Sequence, residues 1–361
     1  MKTAIVCDWL VGIGGAERVV LELHRMFPDA PIYTSQYNPK ALPWFKDADV
    51  RTFWLQKLPS SLRKFLPVLR AWSFSRLDLN EYDLIISSSG AEAKGIKTGK
   101  STLHITYCHS PTHYYWIRYD EYIKNPGFGP LNWLARLGLK LLVGPMRRWD
   151  RRSAKRPDFF IANSSFTQSN IKKYYGRDSV IIHPPVDVDR FKPKTSNKRL
   201  GFVTAGNQRP YMRRDLAVEA CTKLDFPLTV IGNGPEHKKL VEMAGPSVRF
   251  LTDVNDADMP KHLQSAEAFL FPAKEDFGIT AVEALSAGTP VIAFKGGGAL
   301  DYIKSGQNGL FFDQQTIDSL SGALQKFQRQ KFDNNEVKNS AKQFDQNIFS
   351  KKLLEFINDK T

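Results

Sequence analysis

Two carboxylates, Glu275 and Glu283, stand eight positions apart around a joint between a predicted strand and a predicted helix. The apolar run at 268–271 predicts a buried strand, and the helical periodicity at 280–287 predicts the helix. Glu275 is then expected on the loop, and Glu283 about one turn inside the helix on the face turned back toward it. Carboxylates placed in this way can accept hydrogen bonds from sugar and ribose hydroxyl groups. An ordinary loop and helix with both side chains solvated is the alternative interpretation.

The joint itself, Phe277-Gly278-Ile279, has the chemistry of an anion site. The first backbone N–H groups of a helix have no intrahelical partner and carry the positive end of its dipole. Such a helix start suits a diphosphate. Gly278 lets the backbone approach a ligand closely because it has no side chain.

The residues after this helix complete a strand-helix-strand unit. Gly288 and Pro290 end the helix and turn the chain, and 291–293 predicts the next buried strand. The whole stretch, PAKEDFGITAVEALSAGTPVIAFKGGGALDYI, resembles the donor-sugar-binding signature of retaining glycosyltransferases of the family 4 type, including its E-x7-E element. The resemblance implies that Glu275 holds the hydroxyls of the transferred sugar and Glu283 the ribose. It also implies that sugar and phosphate bind the backbone of Phe277, Gly278, Ile279 and Thr280.

The chain begins with another strand-glycine-helix pattern. Residues 2–7 predict a strand, Gly14 and Gly15 lie in the loop, and 16–23 has the apolar spacing of a helix. A structural tight turn explains a glycine pair equally well. The sequence GGAERV, however, also resembles the first loop of the same family, where the backbone lies close to the donor phosphates and the acceptor. The resemblance implies that Gly14 and Gly15 belong to the site.

A histidine follows the apolar run 103–107. A side chain at the carboxyl end of a parallel strand faces the crevice where such sheets bind ligands. From the residues alone, His109 is also explained as a structural histidine with satisfied hydrogen bonds. The segment YCHSP resembles the family pattern in which this histidine contacts the transferred sugar. The resemblance implies that His109, like Glu275, is a catalytic residue.

These motifs require two α/β domains, and 361 residues are enough for two cores. Apolar runs alternate with helical stretches in both halves, which predicts mostly parallel sheets covered by helices. We expect a Rossmann-like acceptor-binding domain at 1–190 and a Rossmann-like nucleotide-sugar donor-binding domain at 191–343, with the helix at 344–361 packing back on the first. The resemblance covers nearly the whole chain and implies the GT-B architecture, in which two such domains face each other across a cleft. The run from Phe159 predicts the last strand of the first domain, followed by a helix capped by Ser164 or Ser165.

One stretch departs from the family pattern. Relatives usually carry G-R-x-x-x-x-K after the first strand of the second domain, and its two cations neutralise the donor diphosphate as it leaves. In this chain Gly206 is followed by Asn207 and Met212 at those two positions. A cation aimed at that charge is worth about 10² to 10³ in rate. Two interpretations stay open: nearby arginines replace the cations, or the chain binds donor without turning it over. The donor-binding positions predicted in this stretch are Gly206, Asn207, Arg209, Met212 and Arg213, and the candidate replacements are Arg209, Arg213 and Arg214.

The charge of the chain indicates an anionic partner. The formal net charge is +14, and residues 1–190 hold 28 Lys and Arg against 17 Asp and Glu, so most of the excess lies in the first half. Two segments there, 54–77 and 131–156, interleave Trp, Phe and Leu with cations, as in helices that lie on an anionic membrane. Solvated faces of helices packed on the domain are an equal alternative. Neither segment matches a nucleic-acid-binding motif, so no nucleic acid is expected.

Cysteine usage and hydropathy predict the compartment. Cys7, Cys108 and Cys221 are too few and too scattered for a disulfide framework, which favours a reducing cytoplasm. No run reaches the ~18 apolar residues of a membrane span, and the apolar part of the N-terminus is too short for a signal peptide. We expect a cytoplasmic protein that is either soluble or peripheral on the inner face of the membrane. Asp256-Ala257-Asp258 matches a metal-binding D-x-D pattern by spelling only, so we expect no metal and no cofactor, with the nucleotide diphosphate sugar as donor substrate.

Three functions follow from these observations. The first is a retaining glycosyltransferase that moves a hexose from a nucleotide diphosphate sugar to a saccharide or lipid-linked saccharide acceptor in polysaccharide assembly. Mannose, carried as GDP-mannose, is favoured by the resemblance to bacterial polysaccharide-assembly mannosyltransferases. The second is a catalytically impaired relative that binds a sugar nucleotide or a partner protein. Asn207 and Met212 favour it because they replace the two cations of the family pattern. The third, a sugar-nucleotide epimerase of the same architecture, is disfavoured by the family 4 pattern at 272–293.

Overall fold

The computed structural model describes residues 1–59, 66–124, 126, 129–191 and 199–361, with only the backbone of residue 130. Positions 60–65 of the basic segment 54–77, and positions 192–198 of the predicted second domain, therefore lie outside the described residues. The chain divides into two compact units, formed by Met1–Pro185 with Phe349–Thr361 and by Val186–Ile348. Each unit contains one parallel sheet with helices, which confirms the predicted α/β class with two Rossmann-like domains.

The first unit is built on a seven-stranded parallel sheet. Its strands are β1 (Thr3–Cys7), β2 (Ile32–Thr34), β3 (Val50–Thr52), β4 (Leu84–Ser89), β5 (Leu103–Cys108), β6 (Phe159–Ala162) and β7 (Val180–Ile181). They lie in the order β3-β2-β1-β4-β5-β6-β7, and Ile5 of β1 pairs with Ile32 on one side and Ile86 on the other. The chain order changes direction between β1 and β4. The loops after these two strands therefore meet at the carboxyl edge, where open α/β sheets bind ligands.

The first unit contains helices between these strands. They are α1 (Gly15–Met26), α2 (Pro67–Phe74), α3 (Tyr119–Lys124), α4 (Asn132–Ser153) and α5 (Ser165–Tyr175). The Ser164 hydroxyl accepts a 3.0 Å hydrogen bond from the Thr167 N–H and so caps α5, as expected. The prediction that the run from Phe159 forms the last strand is wrong, because β7 pairs with the outer edge of β6. A strand of two residues is too short to show a periodic pattern in the sequence.

The second unit has a six-stranded parallel sheet. Its strands are β8 (Phe202–Ala205), β9 (Leu228–Ile231), β10 (Val248–Leu251), β11 (Ala268–Phe271), β12 (Val291–Phe294) and β13 (Gly309–Phe312). Its helices are α6 (Arg214–Leu224), α7 (His237–Met243), α8 (Met259–Ser265), α9 (Ile279–Ser286), α10 (Ile317–Gln328) and α11 (Asn334–Ala341). The strand order β10-β9-β8-β11-β12-β13 changes direction between β8 and β11, so the loops after these strands also meet at a carboxyl edge.

The last helix, α12 (Gln346–Lys360), supplies part of the first unit's core. Phe349, Leu353 and Ile357 are spaced four residues apart and therefore share one face of the helix. All three are buried among residues of β1, β2, β4 and β5. The chain thus returns to its first unit after completing the second.

Candidate functional site

The loop after β8 has a backbone that favours glycine. Gly206 has a φ of 121°, and Gly232, which follows the neighbouring β9, has a φ of 110°. A Cβ at Gly232 would lie 2.4 Å from the Gly206 carbonyl oxygen, so the two loops are in direct contact. Gly206 is exposed and carries no side chain. The loop after β8 therefore has exposed backbone at the carboxyl edge of the sheet.

A guanidinium lies directly beneath this loop. Arg214 is only 4% exposed, and it donates hydrogen bonds to the Thr204 hydroxyl and the Ala205 carbonyl oxygen at the end of β8. A Cβ at Gly206 would lie 3.2 Å from Arg214 Nη2. Burial lowers the pKa of Arg214 to about 10, while the Glu275 carboxylate acts in the opposite direction. Arg214 therefore remains a cation at neutral pH.

Two aromatic side chains, Phe271 and Tyr302, pack against the turn between β11 and α9. Gly278 has a φ of 93°, and a Cβ there would lie 2.4 Å from Phe271 Cζ and 2.9 Å from the Tyr302 hydroxyl. That hydroxyl donates a 2.9 Å hydrogen bond to the Phe277 carbonyl oxygen, and burial keeps it protonated by raising the pKa of Tyr302 well above its usual value. No side chain caps the start of α9 within the described part of the chain. The first amides of α9 are thus available to an anion.

The two predicted carboxylates flank this turn. Glu275 is half-buried on the loop, and Glu283 is 6% exposed on α9. The Gly298 N–H donates a 2.9 Å hydrogen bond to the Glu275 carbonyl oxygen, and a Cβ at Gly297 would lie 2.3 Å from the same oxygen. These two glycines lock the loop in place. These glycines were not predicted as site residues from the sequence, although the run Gly296-Gly297-Gly298 was a visible signal.

In the first unit, the glycine loop after β1 meets an acidic side chain. Gly14 adopts extended backbone immediately before α1, and Gly15 is the first residue of that helix. A Cβ at Gly14 would lie 2.6 Å from Glu17 Oε2. Two of the predicted glycines therefore lie at a helix start that carries a carboxylate.

His109 follows β5 in the same unit. Its Nε2 lies 2.7 Å from the Ser88 hydroxyl, and its ring packs against Tyr107. Its carbonyl oxygen accepts hydrogen bonds from Asn163 Nδ2 at 2.9 Å and from the Thr167 hydroxyl at 3.3 Å. These contacts fix the residue at the carboxyl edge of the sheet. Contact between His109 and a sugar stays a prediction.

Two family models match adjoining parts of the chain. The model described as Glycosyltransferase Family 4 matches residues 13–190, and the model described as Glycosyl transferases group 1 matches residues 185–347. Together the two matches run through both units. The chain belongs to the family 4 glycosyltransferases.

Curated relatives and a solved structure agree with this assignment. A GDP-mannose-dependent alpha-(1-6)-phosphatidylinositol monomannoside mannosyltransferase of Mycolicibacterium smegmatis is 26% identical over 48% of this chain and 54% of the relative. A GDP-mannose-dependent monoacylated alpha-(1-6)-phosphatidylinositol monomannoside mannosyltransferase of Corynebacterium glutamicum is 30% identical over 52% of this chain and 57% of the relative. The chain spans about half the length of the curated relatives it matches. The crystal structure of Anabaena HepE with UDP-glucose has a TM-score of 0.70 at 18% identity, covers 99% of this chain and 100% of that one, and shows the same GT-B fold.

The positions that depart from the family pattern have distinct surroundings. Asn207 is exposed, Arg209 is half-buried, and Met212 packs against the apolar core of the second unit. Arg213 adopts left-handed backbone with a φ of 51° and pairs with Asp215 at 3.0 Å. A carboxylate therefore already neutralises Arg213.

The described residues contain no group of three or more His, Cys, Asp or Glu side chains placed to hold a metal ion. The two carboxylates of the D-x-D spelling each have a cationic partner. Asp256 pairs with Arg190 at 2.7 Å, and Asp258 pairs with Lys261 at 2.9 Å. The arrangement at Asp256 and Asp258 is that of surface ion pairs.

A buried polar network in the first unit was not predicted from the sequence. Arg70 pairs with Glu92 at 2.9 Å, and Lys94 pairs with Asp150 at 2.6 Å, all four being almost fully buried. The Asp8 carboxylate accepts hydrogen bonds from the N–H groups of residues 90, 91 and 93, which ties β1 to the loop after β4. The assignment of Arg70 to a basic surface is thus wrong. Its ion pair with a glutamate 22 residues away in sequence places it inside the unit.

The two basic segments also contain exposed apolar side chains, although Leu55, Phe74 and Met146 within them are buried. Trp54, Val68, Leu69 and Trp72 are exposed around α2, and Leu131, Trp133, Leu134, Leu137, Leu141 and Leu142 are exposed at the start of α4 and along it. Exposed cations, among them Lys140, Arg148 and Arg151, lie on the same helix. None of the described helices is both long and apolar enough to cross a bilayer.

Proposed function

We propose that this chain transfers a hexose from a nucleotide diphosphate sugar to a saccharide or lipid-linked acceptor, and that its second unit binds the donor. The observation that carries the proposal is the uncapped start of α9, which Glu275 and Glu283 flank. It follows β11, the neighbour of β8, and the loop after β8 holds the exposed Gly206 next to the buried Arg214. Amides and a cation suit the diphosphate, whereas carboxylates suit the hydroxyls of sugar and ribose. The first unit binds the acceptor, with Gly14 and Gly15 near it and His109 contacting the transferred sugar.

The donor is GDP-mannose and the anomeric configuration is retained. The two mannosyltransferases named above, both GDP-mannose-dependent, support this choice. The bond between the anomeric carbon and the diphosphate oxygen breaks, and its electron pair stays on that oxygen. The acceptor hydroxyl oxygen bonds to the same face of the anomeric carbon, and its proton passes to a diphosphate oxygen. The reaction runs without a metal because helix amides and arginines stabilise the diphosphate.

Calorimetric titration with GDP-mannose, UDP-glucose and UDP-N-acetylglucosamine tests the proposal, followed by an assay of nucleotide release with the tightest binder. We expect GDP-mannose to bind most tightly and wild type to release GDP when acceptor is present. Binding of none of the three sugar nucleotides would contradict the proposal. Preference for a UDP-sugar would contradict the choice of GDP-mannose alone.

A catalytically impaired donor-binding protein is the second candidate, since Asn207 and Met212 provide no positive charge. The double variant Asn207→Arg with Met212→Lys separates the two functions. If wild type binds donor without releasing nucleotide and the double variant gains release, the impaired function is favoured. If wild type releases nucleotide, the transferase function holds.

The first unit further associates with the inner face of the cytoplasmic membrane through α4. Trp133, Leu137 and Leu141 lie one helical turn apart and are 63%, 48% and 68% exposed, with Lys140 and Arg148 beside them. An apolar stripe with flanking cations can enter an anionic bilayer surface. Cosedimentation with vesicles of phosphatidylcholine, with and without phosphatidylglycerol, tests this. We expect binding only to anionic vesicles and its loss in Trp133→Ser with Leu137→Ser, whereas equal recovery of wild type and variant would contradict it.

A further inference from the structure

Arg214 is a buried cation that the protein itself leaves incompletely bound. Its Nη1 and Nη2 atoms donate to Thr204 and Ala205, but its Nε finds no hydrogen-bond partner among the described residues. No carboxylate of the described chain lies within 4.0 Å of its guanidinium nitrogens, although Glu275 acts on it from farther away. Burying a charge without a paired counterion is costly. A bound anion would offset this cost.

The position of Arg214 makes the cost greater. As the first residue of α6 it lies at the positive end of the helix dipole, where a cation is disfavoured. Arg199 provides a comparison, because it also donates to a threonine hydroxyl and to backbone carbonyl oxygens. Arg199 lies before β8, at the opposite end of the strand from Arg214. Only Arg214 of this pair is at the carboxyl edge, where ligands bind.

The guanidinium lies close to exposed backbone. Gly206 is exposed, and a Cβ added there would lie 3.2 Å from Arg214 Nη2. The neighbouring strand β11 leads to the uncapped amides of α9, and the Thr204 hydroxyl links the two strands by a 2.8 Å hydrogen bond to the Leu270 carbonyl oxygen. The positive groups of both loops therefore lie at one carboxyl edge.

We propose that Arg214 supplies the cationic charge of the diphosphate subsite, in place of the arginine and lysine that relatives carry at positions 207 and 212. The inference rests on the proposed function for the identity of the donor, but not for the binding of a diphosphate. Arg213 is a poorer replacement because Asp215 already neutralises it. Arg209 is a poorer one because its half-buried charge is more strongly screened by water than one in the interior. As the sugar leaves, Arg214 stabilises the negative charge that develops on the diphosphate.

The experiment compares Arg214→Gln with Arg199→Gln, using inorganic pyrophosphate as the first probe and then guanosine, GMP and GDP. We expect Arg214→Gln to weaken pyrophosphate binding at least about tenfold and to slow sugar transfer about 10²-fold. The gain in affinity from guanosine to GDP should shrink in this variant, whereas a purely structural role would weaken all three ligands alike. Arg199→Gln should lower the melting temperature and leave pyrophosphate affinity unchanged.

Arg214→Lys provides the second variant if Arg214→Gln does not fold. Burial lowers the pKa of a lysine, so pyrophosphate affinity of Arg214→Lys should fall with rising pH relative to wild type. Wild-type affinity in folded Arg214→Gln, or a pH profile of Arg214→Lys parallel to that of wild type, would overturn the proposal. Pyrophosphate binding that depends on Arg214 in a protein that binds no sugar nucleotide would sink the proposed function and leave this inference intact. Normal sugar transfer by Arg214→Gln would overturn this inference and leave the proposed function intact.

Discussion

Each unit begins with the same strand, glycine loop and helix, but the side chain that meets the glycine has opposite charge in the two units. In the first unit a Cβ at Gly14 would lie 2.6 Å from a Glu17 carboxylate oxygen. In the second a Cβ at Gly206 would lie 3.2 Å from an Arg214 guanidinium nitrogen. The cation in the second arrangement attracts a diphosphate. The proposed function accordingly assigns the diphosphate to the second of these two loops.

The buried charges of the two units differ in the same way. In the first unit Arg70 and Lys94 each pair with a buried carboxylate, so their charges are balanced within the protein. In the second unit Arg214 has no such partner among the described residues. Balanced pairs hold the first unit together. An unbalanced cation at a carboxyl edge indicates a ligand-binding role instead.

The largest expected effect comes from breaking a balanced pair. Glu92→Gln leaves the Arg70 charge buried without its counterion and should cost about 3–5 kcal/mol in the free energy of unfolding. Denaturant unfolding measures the loss, and pyrophosphate affinity should stay at the wild-type value. Glu81→Gln, which removes an exposed ion pair with Lys2, is the control and should unfold like wild type. Weaker pyrophosphate binding by folded Glu92→Gln would contradict the assignment of pyrophosphate binding to the second unit.

Two glycine variants test whether the loops of the two units differ in backbone strain and in pyrophosphate binding. Gly206→Ala forces a side chain onto a backbone with positive φ and toward Arg214, so it should cost about 1–3 kcal/mol and weaken pyrophosphate binding. Gly14→Ala keeps extended backbone and meets only the movable end of Glu17, so its cost should stay below about 1 kcal/mol. Calorimetry and thermal melts measure both changes. Equal effects in the two variants would remove the distinction.

Two tyrosines, one in each unit, donate a hydrogen bond from the side-chain hydroxyl to a backbone carbonyl oxygen. Tyr302→Phe removes the donor to the Phe277 carbonyl oxygen, and Tyr107→Phe removes a 2.8 Å donor to the Ile182 carbonyl oxygen. Each should cost about 1 kcal/mol in stability. Only Tyr302→Phe should weaken GDP binding, by a few fold, because it loosens the turn before α9. Loss of GDP affinity in Tyr107→Phe would contradict this assignment.

The smallest effect near neutral pH is a pH dependence of stability that belongs to the first unit. Burial lowers the pKa of His104 to about 3, below the 6.5 of an unperturbed histidine, so the unfolded chain binds one more proton between these values. Stability should be complete above pH 6.5 and decline as the pH falls toward 3, with a limiting slope of about 1.4 kcal/mol per pH unit from this group. Near pH 6 the loss should be below about 1 kcal/mol. Denaturant unfolding of wild type and His104→Gln measures it, and identical pH profiles would exclude the contribution.

The sequence predicted the turn around Gly278 closely. A helix was expected at 280–287, and α9 occupies Ile279–Ser286 after a strand at the predicted residues. The apolar run, the positive-φ glycine and the Gly288 stop are all local signals, so no tertiary information was needed. The parallel α/β class and the family likewise followed from local patterns and motif spelling.

The charged interior could not be predicted in this way. Arg70, Glu92 and Asp150 come from three separate segments, and nothing local distinguishes a buried arginine from an exposed one on the same basic helix. Three neighbouring arginines also looked equivalent in the sequence. The left-handed backbone of Arg213 makes α6 begin at Arg214. This backbone conformation determines that Arg214 is the arginine that points inward.

Hydrogen–deuterium exchange with and without GDP tests most directly whether the second unit alone holds the diphosphate. We expect slower amide exchange at 205–214 and 277–283 when GDP is added. Exchange at 12–20 in the first unit should be unchanged. Protection at 12–20, or none at 277–283 at a saturating GDP concentration, would contradict it.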